Sequence, residues 1–374
     1  MVAYNEREWW VDYAKAICIF LVVFIHFITS GYFKGVTYSV NIYVLTLGEV
    51  FYMPLFFFVS GYLYKDLNPK MALEKYFKRL IVPYIFFSFV GIFVIVLLNG
   101  YYKNLNLFIH SMGRLLPSLF ITGTYSNLIA ANGPIWFLLA LFMVIISFSL
   151  LKTIFKEYKY IFIAILGFNV LLFTLNALNI KLIYLTLNSA ILGMMFFFVG
   201  YLSKKNDIMR FFKNNYINVA LVLGFFAITY LELVYNGGLA FRRGISNGNI
   251  ILSYLGAFAG IIMIIALSSI LSKFKFKAIY LVSISTLIVM CLNEPLQNIL
   301  VPLTKNSLLI GGHNLLYITI MSLTIISISV PVYIILNNQI PFLVGNKNKE
   351  LKPGLNIRSR TGVYITNAFR RIRE

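Results

Sequence analysis

The sequence predicts an all-α, polytopic integral membrane protein with about ten transmembrane helices and both termini in the cytoplasm. Three observations predict it. Only 12% of the 374 residues are charged and 60% are hydrophobic, whereas a water-facing globular surface needs roughly a quarter of its residues charged. The apolar residues fall in long continuous runs rather than short alternating segments, so helices are expected and a transmembrane barrel is not. The basic residues gather in alternate gaps between those runs, as orientation signals do.

The runs follow in order. The first, 12–31, comes after an acidic and aromatic start (Glu6, Glu8, Trp9, Trp10) without a small-residue cleavage site, so it reads as a retained helix. The second, 42–63, is rich in Phe. The third, 80–99, follows a basic stretch. The fourth, 134–154, opens on Pro134 and Trp136. The fifth, 159–176, is the shortest and is thinly separated from the sixth, 182–202. Runs at 216–235, 249–272, 279–301 and 314–336 complete the set, each near the roughly 20 residues that a span requires. The segment 100–133 is the longest outer loop, with room for a short interfacial or re-entrant helix. The organisation reads as one membrane domain, 1–340, and a basic cytoplasmic tail, 341–374. No internal repeat stands out.

With the N-terminus in the cytoplasm, all but seven of the 32 Lys and Arg residues lie on the cytoplasmic side. The seven are Lys34, Lys103, Arg114, Lys181, Arg242, Arg243 and Lys305. The net charge of +20 therefore speaks of orientation in a membrane and not of nucleic acid. Cys18 and Cys291 lie inside apolar runs, as packing residues do, and do not suggest a disulfide. Three scattered histidines make no metal site. His110 and His313 read as solvated loop residues. No phosphate-binding glycine loop and no nucleophile elbow occurs.

Ionisable groups inside a bilayer are expensive and mark function by default. Among the twelve acids, only Glu49, Glu232 and Glu294 fall within spans and outside the cytoplasmic segments. Counting along the helices puts all three, with His26, in the outer half of the membrane, which predicts an outer polar cavity. Lys15 and His26 are eleven residues apart, so they share a helix face about 16 Å apart. Glu49 and Ser60 have the same spacing. His26 is the candidate general base, since its ordinary pKa lets it take and return a proton near neutrality. Glu49 is the candidate to orient it.

The first helix reads Asp12-Tyr13-Ala14-Lys15 and, eleven residues past Lys15, His26. The second ends Phe56-Phe57-Phe58-Val59-Ser60-Gly61-Tyr62-Leu63. Then come Lys78-Arg79-Leu80-Ile81-Val82-Pro83-Tyr84 and Gly133-Pro134-Ile135-Trp136-Phe137-Leu138. In order and spacing these resemble the acyltransferase-3 family of membrane O-acyltransferases, particularly its sugar O-acetylase branch, whose members also have ten helices. Two positions depart from the family. Lys15 stands where Arg is usual, and Arg and Lys bind differently. Asn293-Glu294-Pro295 stands where many members have a His before the Pro.

The resemblance implies transfer of an acyl group, usually acetyl from acetyl-CoA, to a hydroxyl of a cell-envelope carbohydrate or lipid-linked glycan, in a bacterial cytoplasmic membrane. Lys75, Lys78 and Arg79 would hold the acyl-CoA phosphates, and Lys15 would mark the inner end of the path towards His26. Ser60, Asn132, Trp136, Asn293 and Glu294 would line the acceptor side. Outer loops that carry basic residues and no acid, with the adjacent Arg242 and Arg243, would attract an anionic acceptor. The rival reading is a glycan transporter, which would need no acyl donor and no His26. A glycan polymerase would be expected to have a larger outer loop.

Overall fold

The computed structural model describes residues 7–30, 41–117, 133–178, 186–240, 245–246, 248–304 and 314–345. Ten helical stretches among them are long and apolar enough to cross a membrane. The long helices are α1 (Trp9–Ile28), α7 (Trp136–Ile154), α8 (Tyr158–Ala177), α9 (Leu187–Lys205), α10 (Asn215–Asn236), α11 (Ile250–Leu271), α12 (Lys277–Thr304) and α13 (Asn314–Gln339). Two further spans are composite: α2 (Ile42–Thr46) with α3 (Tyr52–Tyr62), and α4 (Pro69–Tyr76) with α5 (Val82–Leu98). A two-residue antiparallel ladder, β1 (Leu239–Ala240) with β2 (Ile245–Ser246), joins α10 to α11.

Asparagine opens helix after helix. Asn41, Asn68, Asn104, Asn214 and Asn249 each accept a backbone N–H of the first turn, which satisfies a donor that the helix itself cannot. Gly237, with φ of 78°, closes α10 in the left-handed conformation that glycine adopts freely.

The second span is not one continuous helix, which corrects the expected Glu49–Ser60 face. Residues Leu47–Val50 tighten into a 3₁₀ turn before α3 begins. Pro54 sits in the first turn of α3, where its ring would collide with the Val50 carbonyl of an α-helix carried through from α2. Gly48 presses on α1, where an added Cβ would lie 2.7 Å from Ile25 Cδ1.

The innermost packing is between α3 and α9. A Cβ on Gly61 would lie 1.9 Å from the Phe197 carbonyl oxygen, and one on Gly200 would lie 2.0 Å from that of Phe58. Without a hydrophobic drive between helices in lipid, such close backbone approach is how spans adhere. The contact is reciprocal because the segments are alike: Phe56-Phe57-Phe58-Val59-Ser60-Gly61-Tyr62-Leu63 against Phe196-Phe197-Phe198-Val199-Gly200-Tyr201-Leu202. This short internal repeat, unexpected from the sequence, is masked by an aromatic background of 35 Phe and 25 Tyr.

The end of the bundle where α1 begins is the basic end. There Lys152 donates to Asp66 at 2.6 Å and to the Tyr201 hydroxyl at 2.7 Å, and that hydroxyl donates to Asp66 at 3.1 Å. Burial alone would push the Asp66 carboxyl up. The hydrogen bonds from Lys152 and Tyr201, with the charges of Lys152 and Lys205, outweigh it and hold the carboxyl below its ordinary value. A depressed carboxyl stabilises the fold above its unfolded pKa and stops doing so as pH falls through the folded one. Melting of the detergent-solubilised protein is therefore expected to lose stability as pH drops below about 4, and Asp66→Asn is expected to remove that component. A wild type and an Asp66→Asn variant with parallel pH profiles would contradict it.

At the opposite end, α6 (Leu105–Leu115) turns Ser111 and Leu115 inward. Leu115 and Met112 pack on Ile92, Ile95 and Val96 of α5, while Leu105 and Ile109 stay exposed. The expected helix within 100–133 is present; residues 118–132 lie outside the described residues. After α13, the turn Pro341–Val344 buries Leu343 and Val344, and an added Cβ on Gly345 would lie 2.6 Å from the Arg79 carbonyl oxygen. Residues 341–345 thus pack against the helices. Residues 346–374 lie outside the described residues.

Candidate active site

Lys15 lies on the buried face of the first helix at the basic end. Its Nζ donates to the Ser283 carbonyl of α12 at 2.6 Å. One turn earlier, Asp12 is 2% exposed, not solvated at the cytoplasmic edge as its position near the start of the run suggests. Its carboxylate accepts from Arg7 Nη2 at 2.8 Å, from Arg7 Nε, and from the Ser283 hydroxyl. The Arg7 guanidinium in turn covers the Tyr280 ring at 4.5 Å. Asp12 thus grips the residue whose carbonyl holds Lys15. The available signal was the three-residue spacing of Asp12 and Lys15, neighbours on a helix; Ser283 had none.

Lys15, Ser60, Tyr76, Arg79 and Thr286 share a cavity of about 190 Å³ with an apolar lining that includes Phe56, Phe137 and Leu141. Pockets for whole drug-sized ligands run about 300–1,000 Å³, so this one suits a slender chain rather than a nucleotide. Arg79 reaches it through a turn of π-helix, Phe77–Ile81. Pro83 provides the reason, since it has no N–H for the Arg79 carbonyl and would clash with it in a tight helix. Widened turns of this kind are frequent at functional sites. Of the three expected donor-binding residues, only Arg79 lines the cavity. Lys75 stacks its Nζ over the Tyr76 ring at 4.9 Å, and Lys78 is exposed. Ser60 donates to its own helix at Phe56 O, 2.7 Å away, and belongs to this basic-end cavity, not to the opposite side.

Farther along α1, His26 Nδ1 lies 2.6 Å from Val22 O, one turn back. An Nδ1–H donating there leaves Nε2 as the basic nitrogen. The tautomer is thus set by a backbone carbonyl, a role that the sequence had suggested for Glu49. Glu49 stands in the 3₁₀ turn that crosses α1 beside Ile25.

The Lys15–Ser283 contact also registers α1 against α12. Both helices run the same way, and Glu294 lies eleven residues beyond Ser283, as His26 does beyond Lys15. Each is about 16 Å farther along, close to the face of the residue it started from. The register therefore brings Glu294 to the level of His26 from a helix packed on α1. Glu294 accepts the Gly133 N–H, which ties the Gly133–Ile135 turn and the buried Trp136 after it to the same level. Asn293 is fully buried beside it. Glu232 has another occupation: Asn236 donates to it at 2.9 Å and also to Ser253 and Asn249, which fastens α10 to α11. Asn132, Arg242 and Arg243 lie outside the described residues.

The model of an acyltransferase domain matches residues 8–336, nearly the whole chain. The chain belongs to the acyltransferase-3 family. No curated protein and no solved structure matches it. As an acyltransferase-3 protein it is a membrane-embedded transferase of acyl groups, and the matched range takes in the cavity at Lys15, the His26 level and the α3–α9 crossing together.

Proposed function

We propose that this acyltransferase moves acetyl from acetyl-CoA to a hydroxyl of a cell-envelope carbohydrate or lipid-linked glycan, at a bacterial cytoplasmic membrane. The observation that carries the reading is the cavity that opens at Lys15 and Arg79 on the basic end and is registered, through Lys15 and Ser283, to His26 and Glu294 farther along the same pair of helices. In this reading the basic end faces the cytoplasm, as its Lys and Arg residues favour.

Arg79 meets the donor's phosphates, as guanidinium groups do well, with Lys75 and Lys78 adding positive charge at the mouth. The thioester arm extends along the cavity past Ser60 and Thr286. His26 Nε2 takes the proton of the acceptor hydroxyl. Glu49 and Glu294 bring negative charge towards the imidazolium that forms. Trp136 and Asn132 border the acceptor, and the basic loops that include Arg242 and Arg243 draw an anionic one.

The test uses membranes from cells expressing the protein, supplied with radiolabelled acetyl-CoA, and reads alkali-labile label in glycan. Wild type is expected to incorporate it. Arg79→Ala is expected to raise the KM for acetyl-CoA about 10-fold, the loss of one charged hydrogen bond, with kcat little changed, the pattern of lost uniform binding. Incorporation that shows no dependence on acetyl-CoA concentration, or on Arg79, would remove the assignment of the donor side.

A further inference from the structure

Among the described residues, Asn293 is the buried amide whose NH₂ group is left incomplete. Asn293 is fully buried, its Oδ1 accepts from Gln297 Nε2 at 2.8 Å, and its Nδ2 has no hydrogen-bond partner. With Gln297 Nε2 as the donor, the NH₂ group of Asn293 is the end turned away from Gln297. A buried donor without an acceptor is costly, and such groups call for an explanation.

Its place supplies one. Thr286 and Met290 of α12 line the cavity. Asn293 is seven residues beyond Thr286, within about 20° of the same helix face, and one turn beyond Met290. The amide therefore follows the cavity-lining residues Thr286 and Met290 along the same side of α12, buried just past them. Ser283 and Lys15 are in contact, and Asn293 lies ten residues beyond the first as His26 lies eleven beyond the second. At 1.5 Å per residue the two stand about 15 and 16 Å along, at one level.

We propose that Asn293 Nδ2 donates a hydrogen bond to the carbonyl oxygen of the acyl group and holds the oxyanion formed during transfer. This rests on the acyl-transfer reading above. The acceptor oxygen forms its bond to the carbonyl carbon and gives its proton to His26. The carbonyl π pair moves onto oxygen, where the waiting N–H meets it. Collapse of the intermediate breaks the C–S bond, and the leaving sulfur takes the proton back from His26, giving the ester and free thiol. An amide suits the task because it is neutral and its orientation is already fixed by Gln297, so little is spent on reorganisation when charge develops. A thioester carbonyl is a weaker acceptor than the oxyanion, so the gain falls on the transition state and hence on kcat.

The test compares wild type with Asn293→Leu, Asn293→Asp and Asn293→His in the same membranes with radiolabelled acetyl-CoA. Leu lacks the donor, whereas Asp keeps the shape and the bond from Gln297 and lacks the donor only while its carboxyl is ionised. His retains an N–H. Leu is expected to lower kcat about 100-fold or more, with the KM for acetyl-CoA within about twofold, and Asp to lose activity as pH rises and its carboxyl ionises. The melting temperature of each variant is read alongside, since Leu removes the unpaired donor and also the acceptor that Gln297 uses. His is expected to keep at least about 10-fold more activity than Leu. A Leu variant that turns over near the wild-type rate overturns the role of Asn293. Wild type that transfers no label overturns the acyl-transfer reading itself, before any variant is compared.

Discussion

His26→Ala is expected to lower acyl transfer by about 100- to 10,000-fold in kcat, the usual worth of a positioned general base, at unchanged membrane abundance. The side chain stands near the far end of α1, its Nδ1 held by Val22 O at 2.6 Å, so its removal opens little of the core. A hydroxyl is a poor nucleophile while it keeps its proton, and no other histidine among the described residues lies inside a span; His110 is on the exposed α6. The KM for acetyl-CoA should change little, because the proposed donor contact, Arg79, lines the cavity at Lys15, about 16 Å back along α1 from His26. The measurement is alkali-labile label in glycan under saturating acetyl-CoA. Transfer near the wild-type rate would dismiss His26 as the base, and the proton would need another acceptor. Wild type that instead changes glycan export without adding acyl groups would favour transport.

The second large effect is on folding. Gly200→Leu is expected to destabilise the protein by about 3 kcal/mol or more, at or beyond the upper end for overpacked sites, and to leave little folded protein in detergent. A single added Cβ already falls 2.0 Å from the Phe58 carbonyl oxygen, and a backbone atom, unlike the tip of a flexible side chain, moves only if the whole helix moves. Separation of α3 from α9 would loosen Phe57, Phe196 and Phe197, all fully buried. Gly61→Leu should do the same from the other side. Gly224→Ala is the control. Nothing lies within 4 Å of a Cβ there, and replacing Gly with Ala in an open helix position favours the helix by up to about 1 kcal/mol. Size-exclusion profiles after stepped heating would compare the three, and a Gly200→Leu protein as heat-stable as Gly224→Ala would refute the crossing.

These two predictions show how differently the two kinds of information arise. His26 was visible in the sequence because an ionisable side chain in a run of apolar residues is rare and costly, and its spacing from Lys15 along a helix is fixed by helical geometry. The crossing at Gly61 and Gly200 was not visible. Glycines in apolar runs are common in membrane helices, and only the approach of two backbones shows which of them are obligatory. The same holds for Asp12. Its place near the start of a run put it with the cytoplasmic acids, whereas its burial against Ser283 depends on α12, more than 260 residues away in the chain.

The sequence by itself determined the class of protein, the number of spans, the order of the family motifs and the identity of the one histidine within a span. Those properties follow from local composition: a bilayer requires every backbone group to be satisfied within its own helix, so long apolar runs leave little choice. The tertiary structure alone decided that Lys15, Ser60, Arg79 and Thr286 share one cavity, that Val22 O meets His26 Nδ1, that Glu294 comes to the level of His26 while Glu232 binds Asn236, and that the Asn293 NH₂ is left without a partner. Each of these depends on the register between helices distant in sequence. That register is set by backbone packing and by contacts such as Lys15 with Ser283, which a periodicity of 3.6 residues within one helix does not encode.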